Sequence, residues 1–192
     1  MLRITGLVEY LITIVFFSVA YFLFYMVQMK VLGDFDFVPT VSIFFIPAGV
    51  KFLAMLVGRG AGVFGVLVGV ELVNLYVGKP LNLLEIGLHA VVWILLPYAC
   101  MVAYLKQRER GQNLIGLTIF DVITLAILVS MVSSLGSQLY WNGFDAAGVQ
   151  LVLAIWGMLV GDVAGIFLAM VVVLVTRKVF SRANLVTTSR YK

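Results

Sequence analysis

Histidine and cysteine occur once each in these 192 residues, as His89 and Cys100. A single cysteine excludes an internal disulfide, and one residue of each type excludes a structural zinc cluster. Charge is also scarce: Asp, Glu, Lys and Arg make up 11% of the chain, against about a quarter in soluble domains. No G-x-S-x-G, H-E-x-x-H or P-loop pattern occurs. The chain is therefore expected to be no enzyme and to need no cofactor or metal. The net charge of +4 does not point to nucleic acid, because the basic residues gather at the ends of apolar runs and in the C-terminal tail.

What is abundant is apolar surface. Hydrophobic residues make up 63% of the sequence, and the mean hydropathy is +1.13. A membrane-spanning helix needs about 20 residues, and the chain divides into six such runs. The sequence predicts an all-α, polytopic membrane helix bundle with six transmembrane helices. Their expected ranges are 8–28, 41–57, 61–77, 83–105, 117–139 and 149–175. Residues 1–176 form the membrane domain and 177–192 a short basic tail. Arg3 precedes a long apolar run with no A-x-A site, so the first helix is expected to stay as an anchor.

Orientation follows from the distribution of Lys and Arg. Arg3, Arg59, the cluster Lys106, Arg108 and Arg110, and the five basic residues of the tail fall on one side. Only Lys30 and Lys79 fall on the other. Both termini are expected in the cytoplasm of a bacterial inner membrane. The tail is expected to be flexible, drawn to anionic lipid.

Ionisable residues at mid-span are costly and by default functional candidates. Lys51 lies about 15 Å along a helix begun at Val41. Glu71 and Asn74 share one face of the next helix. Asp162 lies near the middle of the last. If the three charged groups meet, they form one base between two acids: a lock on helix register or a pocket for an anion or zwitterion. Glu85 and His89, four residues apart, share a helix face and suit a hydrogen bond between them. Ser130, Ser133, Ser134, Ser137 and Gln138 make one half of the fifth helix polar, suiting interhelical hydrogen bonds or a cavity lining. Near the start of that helix, Asp121 is expected to pair with the basic loop.

Small residues mark close helix contacts. Gly65 and Gly69 follow Ala61 at four-residue spacing, and Gly157, Gly161 and Gly165 repeat the pattern in the last helix. Pro47, followed by Ala48-Gly49, is expected to kink the second helix. These faces suit internal packing and self-association equally.

Two stretches resemble the MASE1-like family of bacterial integral membrane sensor domains. One is Ile46-Pro47-Ala48-Gly49 through Leu53 to Gly58-Arg59 and a glycine-rich helix ending near Asn74. The other is Gly161-Asp162-Val163-Ala164-Gly165, similar to that family's Gly-Asp-x-x-Gly signature. The chain departs from the family in carrying Gly60-Ala61-Gly62 where an aromatic-Pro pair is usual. The resemblance implies a signal-input module in the membrane, and the absence of an output domain before Lys192 implies a separate membrane or cytoplasmic signalling partner. The alternatives are a substrate-binding membrane subunit of a vitamin-type transporter, judged by size and helix count, and a structural assembly subunit.

Overall fold

The computed structural model describes residues 2–31, 36–38, 41–42, 44–78, 82–108, 114, 116–142 and 149–189. Apart from a ladder of three and two residues, every regular element is helical. The helices are α1 (Leu2–Val31), α2 (Ile46–Leu53), α3 (Arg59–Val77), α4 (Leu83–Ala90), α5 (Leu96–Gln107), α6 (Ile119–Asn142) and α7 (Val149–Ser189). One π-helical turn, Ala54–Gly58, joins α2 to α3, and a second, Val91–Leu95, joins α4 to α5. Among the described residues, five helical stretches are long and apolar enough to cross a bilayer: Gly6–Val31, Ile46–Val77, Leu83–Gln107, Ile119–Tyr140 and Leu151–Thr176.

The second predicted helix starts later than its hydropathy suggests. Val41–Ser42 is a strand, paired antiparallel with Asp36–Val38. Phe45 is the N-cap of α2, and Pro47 sits in its first turn. Proline has no N–H to lose there and its fixed φ suits a helix start, so Pro47 begins the helix and does not kink it. The non-helical backbone before it is tolerated at depth only when protein satisfies it. The Phe45 amide donates to the Gly161 carbonyl at 3.1 Å, and the Ile46 amide donates to Gln28 Oε1 at 3.1 Å.

Within the 32 residues of Ile46–Val77 the chain reverses. Arg59 has φ 51° and ψ −134°, outside every helical region, and a Cβ on Gly62 would strike the Ala54 carbonyl. In an unbroken helix those two residues would lie about 12 Å apart. The expected turn at Gly58-Arg59-Gly60 is thus present. From there α3 runs along α1: a Cβ on Gly65 would lie 2.6 Å from the Ile14 carbonyl oxygen, and one on Gly69 would lie 2.9 Å from that of Ser18.

Pro97 follows the second π turn and occupies the first turn of α5. A proline displaces the bond to the carbonyl four residues back, here that of Trp93, and the wider turn absorbs the misfit. At the other end of the chain, α7 continues to Ser189 where the sequence reading ends it at Val175. Of the regions singled out in the sequence, Asp34, Phe35 and Pro39 of the first loop lie outside the described residues. So do 109–113 of the basic loop, 143–148 of the α6–α7 connection and the last three residues.

Candidate functional site: a buried lysine cluster

The centre of the bundle is polar. Lys51 is 1% exposed and Asp162 3%, and their charged atoms stand 3.8 Å apart. The nearest partner of the lysine is neutral: Nζ donates to Ser133 Oγ at 2.6 Å. The ammonium also lies 4.2 Å from the centre of the Trp93 ring, a cation–π contact that gains strength when desolvated. Tyr21 meets that indole edge-on at 6.0 Å and is itself buried. α1, α2, α6, α7 and the second π turn each supply one member.

The local structure sets these side chains. Lys51 points into the bundle because α2 lies with its small face hard against α7. A Cβ on Gly49 would strike the Gly165 carbonyl and sit 2.6 Å from Ala169 Cβ. A Cβ on Gly165 would strike the Phe45 carbonyl. Backbone contact this close carries Lys51 to Asp162, one helical turn before Gly165 on α7. Trp93 reaches the lysine from inside a π turn, a distortion often found where a helix carries function. Among α6 serines at positions i, i+3, i+4 and i+7, only Ser133 meets the ammonium, while Ser130, Ser134 and Ser137 are equally buried. Their Oγ atoms, and Asp162 Oδ2, have no hydrogen-bond partner among the described residues.

The other residues singled out in the sequence lie elsewhere. Glu71 is half-buried on α3, and among the described residues no ion pair reaches it. The structure therefore contains a Lys51–Asp162 pair rather than a triad. The small face of α3 is taken by α1, and this sets the azimuth of Glu71. Asn74, one turn further on, has a buried Nδ2 without a partner among the described residues, while its carbonyl accepts from the Gly78 amide.

Glu85 and His89 do not pair. Glu85 closes a capping box: its carboxylate accepts from the Asn82 amide at 2.9 Å, and its own amide donates to Asn82 Oδ1 at 2.9 Å. A cap fills backbone donors that no other group satisfies, so it outcompetes the i,i+4 contact. His89 instead stacks on Trp93 at 5.4 Å and on Tyr140 at 5.8 Å. A column of rings thus rises from the lysine. Asp121 has a capping role too, accepting from the Thr118 amide and hydroxyl at 2.9 and 2.7 Å and from the Tyr104 hydroxyl at 3.1 Å.

Gly161 supplies the carbonyl that holds Phe45, and Gly157 is half-buried on α7. Sequence reasoning did not single out Trp93 or Tyr21, whose uncharged rings carry no signal of depth. It found the serine face without identifying Ser133 as the lysine's partner. It also missed Gly136, whose Cβ would lie 2.6 Å from Val92 Cγ1. In comparisons with known protein families, characterised proteins and solved structures, nothing matches this chain.

Proposed function

We propose that this chain is a signal-input module of a bacterial inner membrane, similar to MASE1-like sensor domains. The Lys51–Ser133–Asp162 cluster responds to a small polar ligand or to the state of the membrane. α7 passes the change to a separate signalling protein. The observation that carries this reading is the position of Asp162. It lies near the middle of the Leu151–Thr176 span, on a helix that continues unbroken to Ser189. About 40 Å of helix then runs from the buried carboxylate to the far end of α7. A rearrangement of the pair moves that helix as a lever.

The reading includes six crossings with both termini in the cytoplasm. Counting Ile46–Gly58 and Arg59–Val77 as separate crossings gives the even number. Thirteen helical residues cover only about 20 Å, and the strand Val41–Ser42 and the non-helical Phe44–Phe45 lie before them, in the rest of a core of about 30 Å.

The test is purification of the tagged protein from its native membrane in mild detergent, with identification of what accompanies it. A kinase or cyclic-dinucleotide enzyme whose output changes in Asp162→Asn supports the proposal. An energising ATPase pair would overturn it in favour of a transporter subunit, and neither partner would favour a structural role.

A further inference from the structure

Buried hydroxyls in membrane helices ordinarily donate back to the carbonyl four residues earlier. Even outside the core two threonines do so: Thr13 to Glu9 and Thr124 to Phe120, each at 2.8 Å. Thr124 shares its helix with the serine face. Yet Ser130, Ser134 and Ser137, at 0%, 0% and 3% exposure, take neither that route nor any other among the described residues. Asp162 Oδ2, across the cluster, is likewise without a donor. Buried polar groups are paired in all but a few cases, with protein or with ordered water. Apart from Asn74 on α3, the exceptions are three hydroxyls on the face of one helix and the carboxylate oxygen that faces the lysine, and they point to a common partner.

We propose that the serine face of α6 binds ordered water molecules on both sides of the Lys51–Ser133 contact, with Ser134 and Ser137 carrying a file from the Lys51–Asp162 pair toward the Tyr140 end of the helix and Ser130 holding water on the other side. The spacing suits water. Along α6, Ser130 and Ser134 are separated by a rise of about 6 Å, and Ser134 and Ser137 by about 4.5 Å. One bridging water joins polar atoms about 5.5 Å apart. Beside the ion pair a water finds the several polar partners it needs: Asp162 Oδ2, which accepts no hydrogen bond among the described residues, and the ammonium hydrogens that Ser133 does not take; further along α6 the partners are serine hydroxyls and neighbouring waters. The file is short of the aqueous phase by little, since Ser137 precedes the end of its span by three residues. Toward the same end of α6 runs the Trp93–His89–Tyr140 stack of rings.

This inference rests on the reading that the lysine cluster is the working site, and its test does not depend on any signalling partner. In a Cys100→Ala background, Ser130→Cys, Ser134→Cys and Ser137→Cys are made singly, with Leu135→Cys and Ala126→Cys on the same helix as controls. The protein is reconstituted in liposomes and exposed to silver ions, which are about as small as hydrated water paths allow. The remaining free thiol is then counted by mass spectrometry after denaturation and alkylation. Silver binds the thiolate, which forms only where water or a polar partner stabilises it. The three serine positions are expected to react on the order of tenfold faster or more than both controls, fastest at 137. Leu135 faces outward at 37% exposure and Ala126 is buried at 4% among apolar groups. Serine-position rates equal to that of Leu135→Cys would overturn the water file. So would an equal rate at Ala126→Cys, which would mean that α6 opens as a whole. Cysteine is close to serine in size, and each of the three positions reports independently should one variant fail to fold.

Discussion

Lys51 and Asp162 face one another at 3.8 Å with no hydrogen bond between them. Their direct attraction is therefore coulombic. Removing one partner of a buried pair typically costs ~3–5 kcal/mol, because the other charge is left uncompensated. Lys51→Met strands Asp162, and Asp162→Asn strands a lysine that retains Ser133 and Trp93. The first is expected to be the more damaging. The double change should cost less than the sum, with coupling of about 1–3 kcal/mol. Unfolding midpoints of the four proteins in one detergent check this, and zero coupling would mean that the two charges do not share a field.

Ser133 is expected to behave unlike other hydroxyls on its helix. It accepts from a buried cation at 2.6 Å, so Ser133→Ala leaves an ammonium hydrogen unsatisfied. The expected cost is about 1–3 kcal/mol. Thr124, exposed and bonded only to Phe120, offers the contrast, and Thr124→Ala should change stability by less than about 0.5 kcal/mol. Equal effects in the same unfolding assay would show that the lysine does not depend on Ser133.

The lysine and Asp162 were legible in the sequence because depth alone constrains a charge. Neither can face lipid, so both must turn inward. Depth says nothing of azimuth, and this is why Glu71 reads as a third member but is not one: α1 occupies the small face of α3 and rotates the carboxylate elsewhere. Local competition undid the Glu85–His89 pairing, since Asn82 stands at the N-cap three residues before Glu85. The start of α2 was misread because Val41 to Phe45 is as apolar as a helix, and only Pro47 marked the boundary. The two π turns leave no mark in hydropathy, and with them Trp93's place over the ammonium stayed hidden.

Close backbone contact, rather than charge, holds the lysine in place. A methyl group on Gly165 would land on the Phe45 carbonyl, and one on Gly49 would land on Gly165. Neither neighbour is a side chain that can swing away. Gly165→Ala is expected to cost about 1–3 kcal/mol or more through forced separation of α2 and α7, and to weaken the coupling between Lys51 and Asp162 as they part. Gly87 has nothing within 4 Å of its would-be Cβ, so Gly87→Ala should be neutral or stabilising by up to about 1 kcal/mol. Thermal unfolding of the two variants in parallel makes the comparison. A tolerated Gly165→Ala would show that the α2–α7 contact is looser than described.

The reversal at Arg59 has a consequence for sidedness. If Ile46–Gly58 and Arg59–Val77 each cross the membrane, Val31 and Leu83 emerge on the same face. If the 32 residues made a single crossing, they would emerge on opposite faces. Both positions are exposed, at 64% and 87%, so cysteines placed there are reachable. In a Cys100→Ala background, Val31→Cys and Leu83→Cys are expected to react with an impermeant maleimide added to spheroplasts. Gly60→Cys and Gln107→Cys, near Arg59 and the basic loop, should react only after the membrane is opened. Lysine and arginine are retained on the cytoplasmic side, and Arg59 sits at the turn between the two crossings. Labelling of Leu83→Cys only in opened membranes, with Val31→Cys labelled in intact ones, would refute the hairpin crossing and with it the six-span topology.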